Sequence, residues 1–224
     1  MGELESVPLS VSLNTGYVKA AYTINPAVRG GVRLRGQRSC MKMRDRKTVT
    51  LVLGGVRSGK SRWAQTLAGN FERVAYVATA QARDAEMRVK IRRHQEDRPA
   101  HWQTVEEPLE LVRVLEDHAG EFDLLLVDCL TVFVSNLMEV AETDAASMGR
   151  RVDAFLEALR LVPASVILVS NEVGSGVVPP YPAGRVYRDA LGELNQRVAA
   201  IADNVVLMVA GLPLALKGSI GARP

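Results

Sequence analysis

The 224-residue chain predicts an α/β fold, a mostly parallel central sheet flanked by helices. Three observations carry this. From Lys47 onward, strand-like and helix-like stretches alternate. Most of the strand-like runs are apolar on both faces, as parallel strands covered by helices must be. A glycine-rich loop ending in lysine joins the first such run to the first helix.

Taken in order, residues 48–53 (TVTLVL) form a β-branched and aliphatic run stopped by two glycines, which reads as a buried strand. A helix is expected over 58–70 and a second strand over 73–79. A helix over 84–94 follows, with Asp84 as its N-cap. The next helix spans 109–119. Residues 122–127 (FDLLLV) make a strand that ends at Asp128. A long helix covers 144–161 and a strand 165–169. A Gly/Pro-rich loop runs over 174–182, a helix over 184–203, and a last strand over 205–210. No internal repeat is present.

Composition excludes several classes. With 47% apolar and 24% charged residues, and mean hydropathy of +0.03, the chain can bury a core, so disorder is not its main state. Collagen-like and coiled-coil compositions are excluded as well. The net charge of +3 lies wholly in residues 1–40, where five basic side chains face two acidic ones; the rest of the chain holds 23 of each sign. A nucleic-acid partner would want a basic patch on the folded body, so none is expected. Two cysteines, Cys40 and Cys129, without a CxxC or a Cys/His cluster, speak against a disulfide framework and a structural zinc. The longest apolar run, 205–216, contains Gly211 and Pro213 and falls short of the ~20 residues a membrane helix needs. No compact apolar region follows a basic start, so no secretory signal is expected. A reduced, cytoplasmic protein is the expectation.

Residues 1–46 differ from the body. No acid occurs between Ser6 and Arg44, and arginine and glycine dominate 29–38. Three readings stay open: a disordered tail, a transit-type peptide, or an over-long gene start with Met41 or Met43 as the first residue. Residues 47–224 are expected to form a single nucleotide-binding catalytic domain.

The sharpest motif is Gly54, Gly55, Val56, Arg57, Ser58, Gly59, Lys60, Ser61, a full match to GxxxxGK[ST] between a strand and a helix. Glycines let the backbone curl with its N–H groups turned inward on phosphate oxygens, and the helix start adds the positive end of its dipole. Lys60 reaches the β- and γ-phosphates and Ser61 offers a hydroxyl to Mg²⁺. The companion acid is Asp128, which ends an apolar strand; it can equally cap the helix that follows. A P-loop nucleotide enzyme results, with kinase, ATPase, GTPase and transferase all still open.

Of three histidines, His118 reads as a surface residue. His94 shares a helix face with Met87 and Ile91, so it faces protein or ligand rather than bulk water. A satisfied core histidine and a ligand-facing one both fit that spacing. Arg92, Arg93 and Arg98 would attract a triphosphate.

At this point an ordered string of motifs resembles a family. After the phosphate loop come Tyr76 to Thr79, Asp84 to Met87, Ile91 to His94, Arg98-Pro99 with Trp102, and Asp128 to Thr131 with Asn136. Further on are Ser170 to Gly174, Val178-Pro179, Arg188-Asp189, Gly192, Leu194 to Gln196 and Ala202-Asp203. Over about 48–217 the chain is similar to the bifunctional adenosylcobinamide kinase / adenosylcobinamide-phosphate guanylyltransferase family. The resemblance implies a P-loop NTPase-like, RecA-like fold and a homotrimer. It implies phosphorylation of the aminopropanol hydroxyl of adenosylcobinamide with ATP or GTP, then transfer of GMP from GTP to give adenosylcobinamide-GDP.

By motif position the resemblance places the guanylylated histidine at His94, with His101 as the fallback. A mostly neutral imidazole suits attack on the α-phosphorus. The resemblance also puts nucleotide contacts at Ala78, Thr79, Ala80, Arg98, Glu106 and Asp128, with Ser61 and Asp128 toward the metal. Glu172 is a candidate for activating the hydroxyl, the 174–182 loop for shaping the corrinoid site, and Asn195 and Gln196 for packing or trimer contacts. Two alternatives remain: a P-loop small-molecule kinase without guanylyl transfer, and a GTP-binding module without chemistry.

Overall fold

A computed structural model describes residues 47–82, 88, 95, 98–140 and 145–219. The chain divides into two units, Met1–Met41 and Lys42–Pro224, and all the described residues belong to the second.

Seven strands form one sheet: β1 (Val49–Gly54), β2 (Val74–Ala78), β3 (Gln103–Glu106), β4 (Leu124–Asp128), β5 (Ser165–Val169), β6 (Asn204–Val209) and β7 (Leu212–Lys217). Their order across the sheet is β3-β2-β4-β5-β1-β6-β7. Every neighbouring pair is parallel except β6–β7. Five helices occur among the described residues: α1 (Lys60–Ala68), α2 (Leu111–His118), α3 (Leu130–Val140), α4 (Ala145–Leu161) and α5 (Pro182–Ile201). This is a RecA-like P-loop α/β arrangement, with β5 inserted between the loop-bearing β1 and the acid-bearing β4.

Successive side chains of a strand point to opposite faces, and here both faces are covered. One face carries Leu51, Leu53, Val77, Leu125, Val127, Val166 and Leu168 against residues of α2 to α5, among them Leu111, Phe133, Phe155 and Leu194. The other carries Val52, Val74, Tyr76, Leu124, Leu126, Ile167 and Val206 against Ala64 and Ala68 of α1 and against Trp102. The double coverage explains why these runs show no polar alternation.

Most expected elements lie within about two residues of the observed ones. Of the helix expected over 84–94 only Arg88 is described, and it is helical; His94 lies outside the described residues. The helix after Asp128 spans Leu130–Val140. Two strands had no counterpart in the sequence reading. β3 is a short edge strand with mostly exposed side chains, defined by its pairing with β2. β7 returns along β6 through Ala210 and Gly211, both at positive φ (51° and 82°), the geometry of a two-residue type I′ hairpin. No helix among the described residues is long and apolar enough to cross a membrane.

Candidate active site

Parallel strands deliver their C-terminal ends to one edge of the sheet, and the sequence-predicted residues gather there. In register, Glu106 of β3 stands beside Ala78 of β2, Ala78 beside Asp128 of β4, and Asp128 beside Val169 of β5. Ligands of open α/β sheets bind along this edge.

The phosphate loop leaves β1 at Gly54, whose φ of 150° disfavours any other residue. A Cβ there would sit 2.5 Å from the Met208 carbonyl oxygen and 2.6 Å from Ser58 Oγ. Arg57 (φ 59°) and Gly59 (φ 95°) complete the curl. The Ser58 N–H donates to the Gly55 carbonyl at 3.3 Å. From the other side, the Gly211 N–H of the β6–β7 turn donates to the Ser58 carbonyl at 3.0 Å.

Helix α1 then starts without a side-chain cap on Gly59, so its first N–H groups have no capping side chain. The Ser58 hydroxyl is likewise buried without a hydrogen-bond partner. Uncapped amides, a buried free hydroxyl and a lysine at one helix start form an anion-binding cradle. Lys60 is buried, and its Nζ donates to the Gly55 carbonyl at 2.6 Å. Burial lowers its pKa from the usual 10.5, while the nearby Cys129 and Asp128 pull it up. Asp128 is therefore near enough to act on the Lys60 ammonium although β5 separates their strands. Val56 projects outward, 81% exposed.

Asp128 accepts a hydrogen bond at Oδ2 from the Tyr76 hydroxyl, at 2.9 Å. Burial, and next Asp128 itself, raise the Tyr76 pKa far above the phenol range. The next residue, Cys129, is a half-buried free thiol pushed up to about 11, mainly by loss of solvent around the sulfur. Ser61 and Asp128 offer a hydroxyl and a carboxylate, both hard oxygen donors. Among the described residues no group of three or more His, Cys, Asp or Glu could hold a metal ion. A donor pair of this kind fits Mg²⁺, which takes one or two protein oxygens and completes its octahedron with water and phosphate.

The remaining candidates divide into two groups. Thr79 is fully buried and bound to the chain across the sheet. Its hydroxyl donates to the Cys129 carbonyl (2.8 Å) and accepts from the Cys129 N–H (2.9 Å). Its carbonyl accepts from Asn136 Nδ2 (2.9 Å), which also donates to the Pro108 carbonyl (3.1 Å). The Ala78 carbonyl accepts from the Glu107 N–H at 2.9 Å. Thr79 and Asn136 thus set the shape of this edge, and Ala80 follows directly. Arg98 lays its guanidinium over the Tyr76 ring, 3.3 Å from the centroid, and donates to Thr104 Oγ1 at 3.3 Å. Glu106 is exposed at the end of β3.

Glu172 donates its N–H to the Gly54 carbonyl (3.0 Å), and its carboxylate accepts from the Gly174 N–H (2.7 Å). That side chain closes its own turn beside the phosphate loop. His101 is exposed in the turn before β3. Asn195 donates to the Asn171 carbonyl at 3.0 Å. Its Oδ1 is buried without a hydrogen-bond partner. Asn195 also lines a cleft of about 660 Å³ with Leu53, Glu172, Gly174, Arg188 and Lys217. Tyr76 and the β6–β7 turn are the parts of this site the sequence reading missed. A lone tyrosine in an otherwise apolar core strand was the available signal, because a buried phenol hydroxyl needs a partner.

Residues 50–216 match the family described as cobinamide kinase / cobinamide phosphate guanyltransferase. The chain is 48% identical over 169 residues to a bifunctional adenosylcobalamin biosynthesis protein of Pseudomonas aeruginosa, covering 75% of this chain and 96% of that one. It is 40% identical over 178 residues to a protein of the same description from Salmonella typhimurium, covering 75% and 98%. Among solved structures, an ATPase of a bacterial type III secretion system overlaps at a TM-score of 0.45 and 12% identity, over 75% of this chain. The chain spans only 56% of that protein's length. On the match across 50–216 and these relatives, the chain belongs to the cobinamide kinase / cobinamide phosphate guanyltransferase family.

Proposed function

We propose that this protein phosphorylates the aminopropanol hydroxyl of adenosylcobinamide with ATP or GTP. It then transfers GMP from GTP to that phosphate, giving adenosylcobinamide-GDP and pyrophosphate. The carrying observation is the complete phosphate loop at the end of β1, with Lys60 buried on it and Asp128 closing β4 at the same edge of the sheet, in a chain of this family. In the first step the hydroxyl oxygen bonds to the γ-phosphorus, the bond from that phosphorus to the β–γ bridging oxygen breaks, the nucleoside diphosphate leaves, and the hydroxyl proton passes to solvent. The loop amides, Lys60 and the Ser58 hydroxyl hold the phosphates and take up the developing charge. Ser61 and Asp128 would hold Mg²⁺, which when bound spreads negative charge off the β- and γ-phosphates.

In the second step a ring nitrogen of His94 bonds to the α-phosphorus of GTP as pyrophosphate leaves. A cobinamide phosphate oxygen then bonds to the same phosphorus and frees the imidazole. Support for His94 is its place in the family motif and the neighbouring arginines Arg92, Arg93 and Arg98. Ala78, Ala80, Arg98 and Glu106 are read as nucleotide contacts on the same grounds; Thr79, fully buried and bonded within the protein, instead shapes the edge that presents them. The 174–182 segment, with Val177 (95% exposed) and Tyr181 (67%), offers apolar side chains to the corrinoid. The protein is read as a cytoplasmic homotrimer whose residues 1–46 take no part in catalysis. Family resemblance supports the trimer, and the acid-poor composition of the leader supports its exclusion from chemistry.

Labelling with GTP carrying radioactive phosphorus at the α position tests the covalent step. An acid-labile, alkali-stable label on the wild type that is lost in His94→Ala is the expected result. The same variant should retain phosphoryl transfer from γ-labelled nucleotide. Label that persists in His94→Ala moves the nucleophile to His101 or a neighbour. No label on a nucleotide-binding wild type refutes the covalent route.

A further inference from the structure

Asp128 has a buried partner, and that partner is itself covered. Tyr76 stands in β2, 2% exposed, on a face otherwise occupied by Val74, Leu124, Leu126 and Ile167. It pairs in register with Leu126, so its hydroxyl reaches diagonally across to Asp128, two residues further along β4. The guanidinium of Arg98 lies flat on the ring, 3.3 Å from its centroid. Arg98 Nη1 is tied to Thr104 Oγ1, and its Nε is buried without a hydrogen-bond partner. Asp128, Tyr76 and Arg98 therefore form one column. It runs from the acid beside the phosphate loop to the segment four residues after His94.

We infer that Tyr76 is a positioning residue for both ends of this column. Its hydroxyl holds one carboxylate oxygen of Asp128, which orients the other toward the phosphate loop and the cation. Its ring seats the Arg98 guanidinium flat and, together with Thr104, fixes the orientation in which that charge is presented to a bound nucleotide. A phenylalanine would fill this apolar face as well and bury no hydroxyl, so packing alone does not account for the phenol. A hydrogen bond from an outer residue to a metal-side carboxylate fixes its orientation and basicity. A planar guanidinium, unlike an ammonium, combines stacking on an aromatic face with in-plane donors.

The inference rests on reading Asp128 as the metal-side acid, and the test separates the two. Binding of a fluorescent GTP analogue to the full chain is measured with EDTA and across a Mg²⁺ titration, with melting temperature as a control of folding. Tyr76→Phe is expected to raise the Mg²⁺ half-saturation about tenfold or more, the usual range for an outer-residue loss, while leaving binding in EDTA within twofold. Asp128→Asn is expected to abolish the Mg²⁺ dependence. Arg98→Lys keeps the charge but loses the flat stack, and is expected to weaken binding in EDTA about tenfold. Unchanged Mg²⁺ half-saturation in Tyr76→Phe, with a shift in Asp128→Asn, overturns the role of Tyr76 at the acid. No shift in Asp128→Asn either overturns the reading of Asp128 and the inference with it. Unchanged binding in Arg98→Lys overturns the seat proposed for Arg98.

Discussion

Replacing Gly54 by alanine should both loosen the fold and misplace the phosphate loop, and the structure sets the size of both effects. The added Cβ would meet the Met208 carbonyl oxygen at 2.5 Å and Ser58 Oγ at 2.6 Å, where real Cβ contacts begin at about 3.0 Å. The carbonyl belongs to β6 and is not free to move, so the loop must retreat by at least roughly 0.5 Å or β6 must shift with it. A φ of 150° adds backbone strain of about 1–3 kcal/mol for a residue with a Cβ. Overpacking adds about 1–3 kcal/mol more. At about 2–4 °C per kcal/mol for a body of this size, the summed strain of about 2–6 kcal/mol should lower the melting temperature by roughly 4–24 °C. A misplacement of ~1 Å among reacting groups can lower turnover about 100-fold, so phosphoryl transfer should drop about 10- to 100-fold. Gly55→Ala is the internal control, because its Cβ meets nothing within 4 Å and its φ is not in the positive range. Thermal unfolding followed by circular dichroism, with GTP binding on the same samples, measures both. Melting temperatures for Gly54→Ala and Gly55→Ala within about 1 °C of each other would refute the steric argument.

Other positions give separate expectations. Asn136→Ala leaves the carbonyls of Thr79 and Pro108 without their donor; two such losses at about 1–3 kcal/mol each should destabilise the protein by roughly 2–6 kcal/mol in urea unfolding. Tyr187 donates to the Thr131 carbonyl at 3.2 Å, and burial first, then Cys129, pushes its pKa up from 10.0 to about 12. The folded state thus keeps a proton that the unfolded chain releases near pH 10, so this contribution is whole below pH 10 and is lost as pH rises toward 12. Urea midpoints at pH 9 and pH 11 should therefore fall less steeply for Tyr187→Phe than for the wild type, and equal slopes would remove Tyr187 from the alkaline transition.

What the sequence made visible follows from how each element earns its stability. β1, β2, β4 and β5 are buried on both faces, so burial wrote itself into unbroken apolar runs. Asp128 stood out because it closes one of them. β3 left no such mark: Gln103, Thr104 and Glu106 are exposed, and pairing with β2 alone makes the segment a strand. β7 was hidden by Pro213, which argues against a central strand but is tolerated on an edge. The phosphate loop was fully legible because its chemistry is local, eight consecutive residues. Tyr76, Asp128 and Arg98 come from three segments, and only the register of β2 against β4 brings the first two within hydrogen-bond reach.

The lean of the phosphate loop on the β6–β7 turn carries a consequence for the order of synthesis. β1 is among the first elements made, yet it pairs with β5 and β6, and the loop it bears is bonded to Gly211 through Ser58. A nascent chain that has emerged only as far as α5 holds every residue of the nucleotide motif but lacks both the neighbour strand and the turn that set its curl. Contacts this distant in sequence form late. Nucleotide affinity should therefore switch on near the end of translation: ribosome-bound chains ending before Asn204 should fail to retain GTP, and those that have extruded Lys217 should hold it.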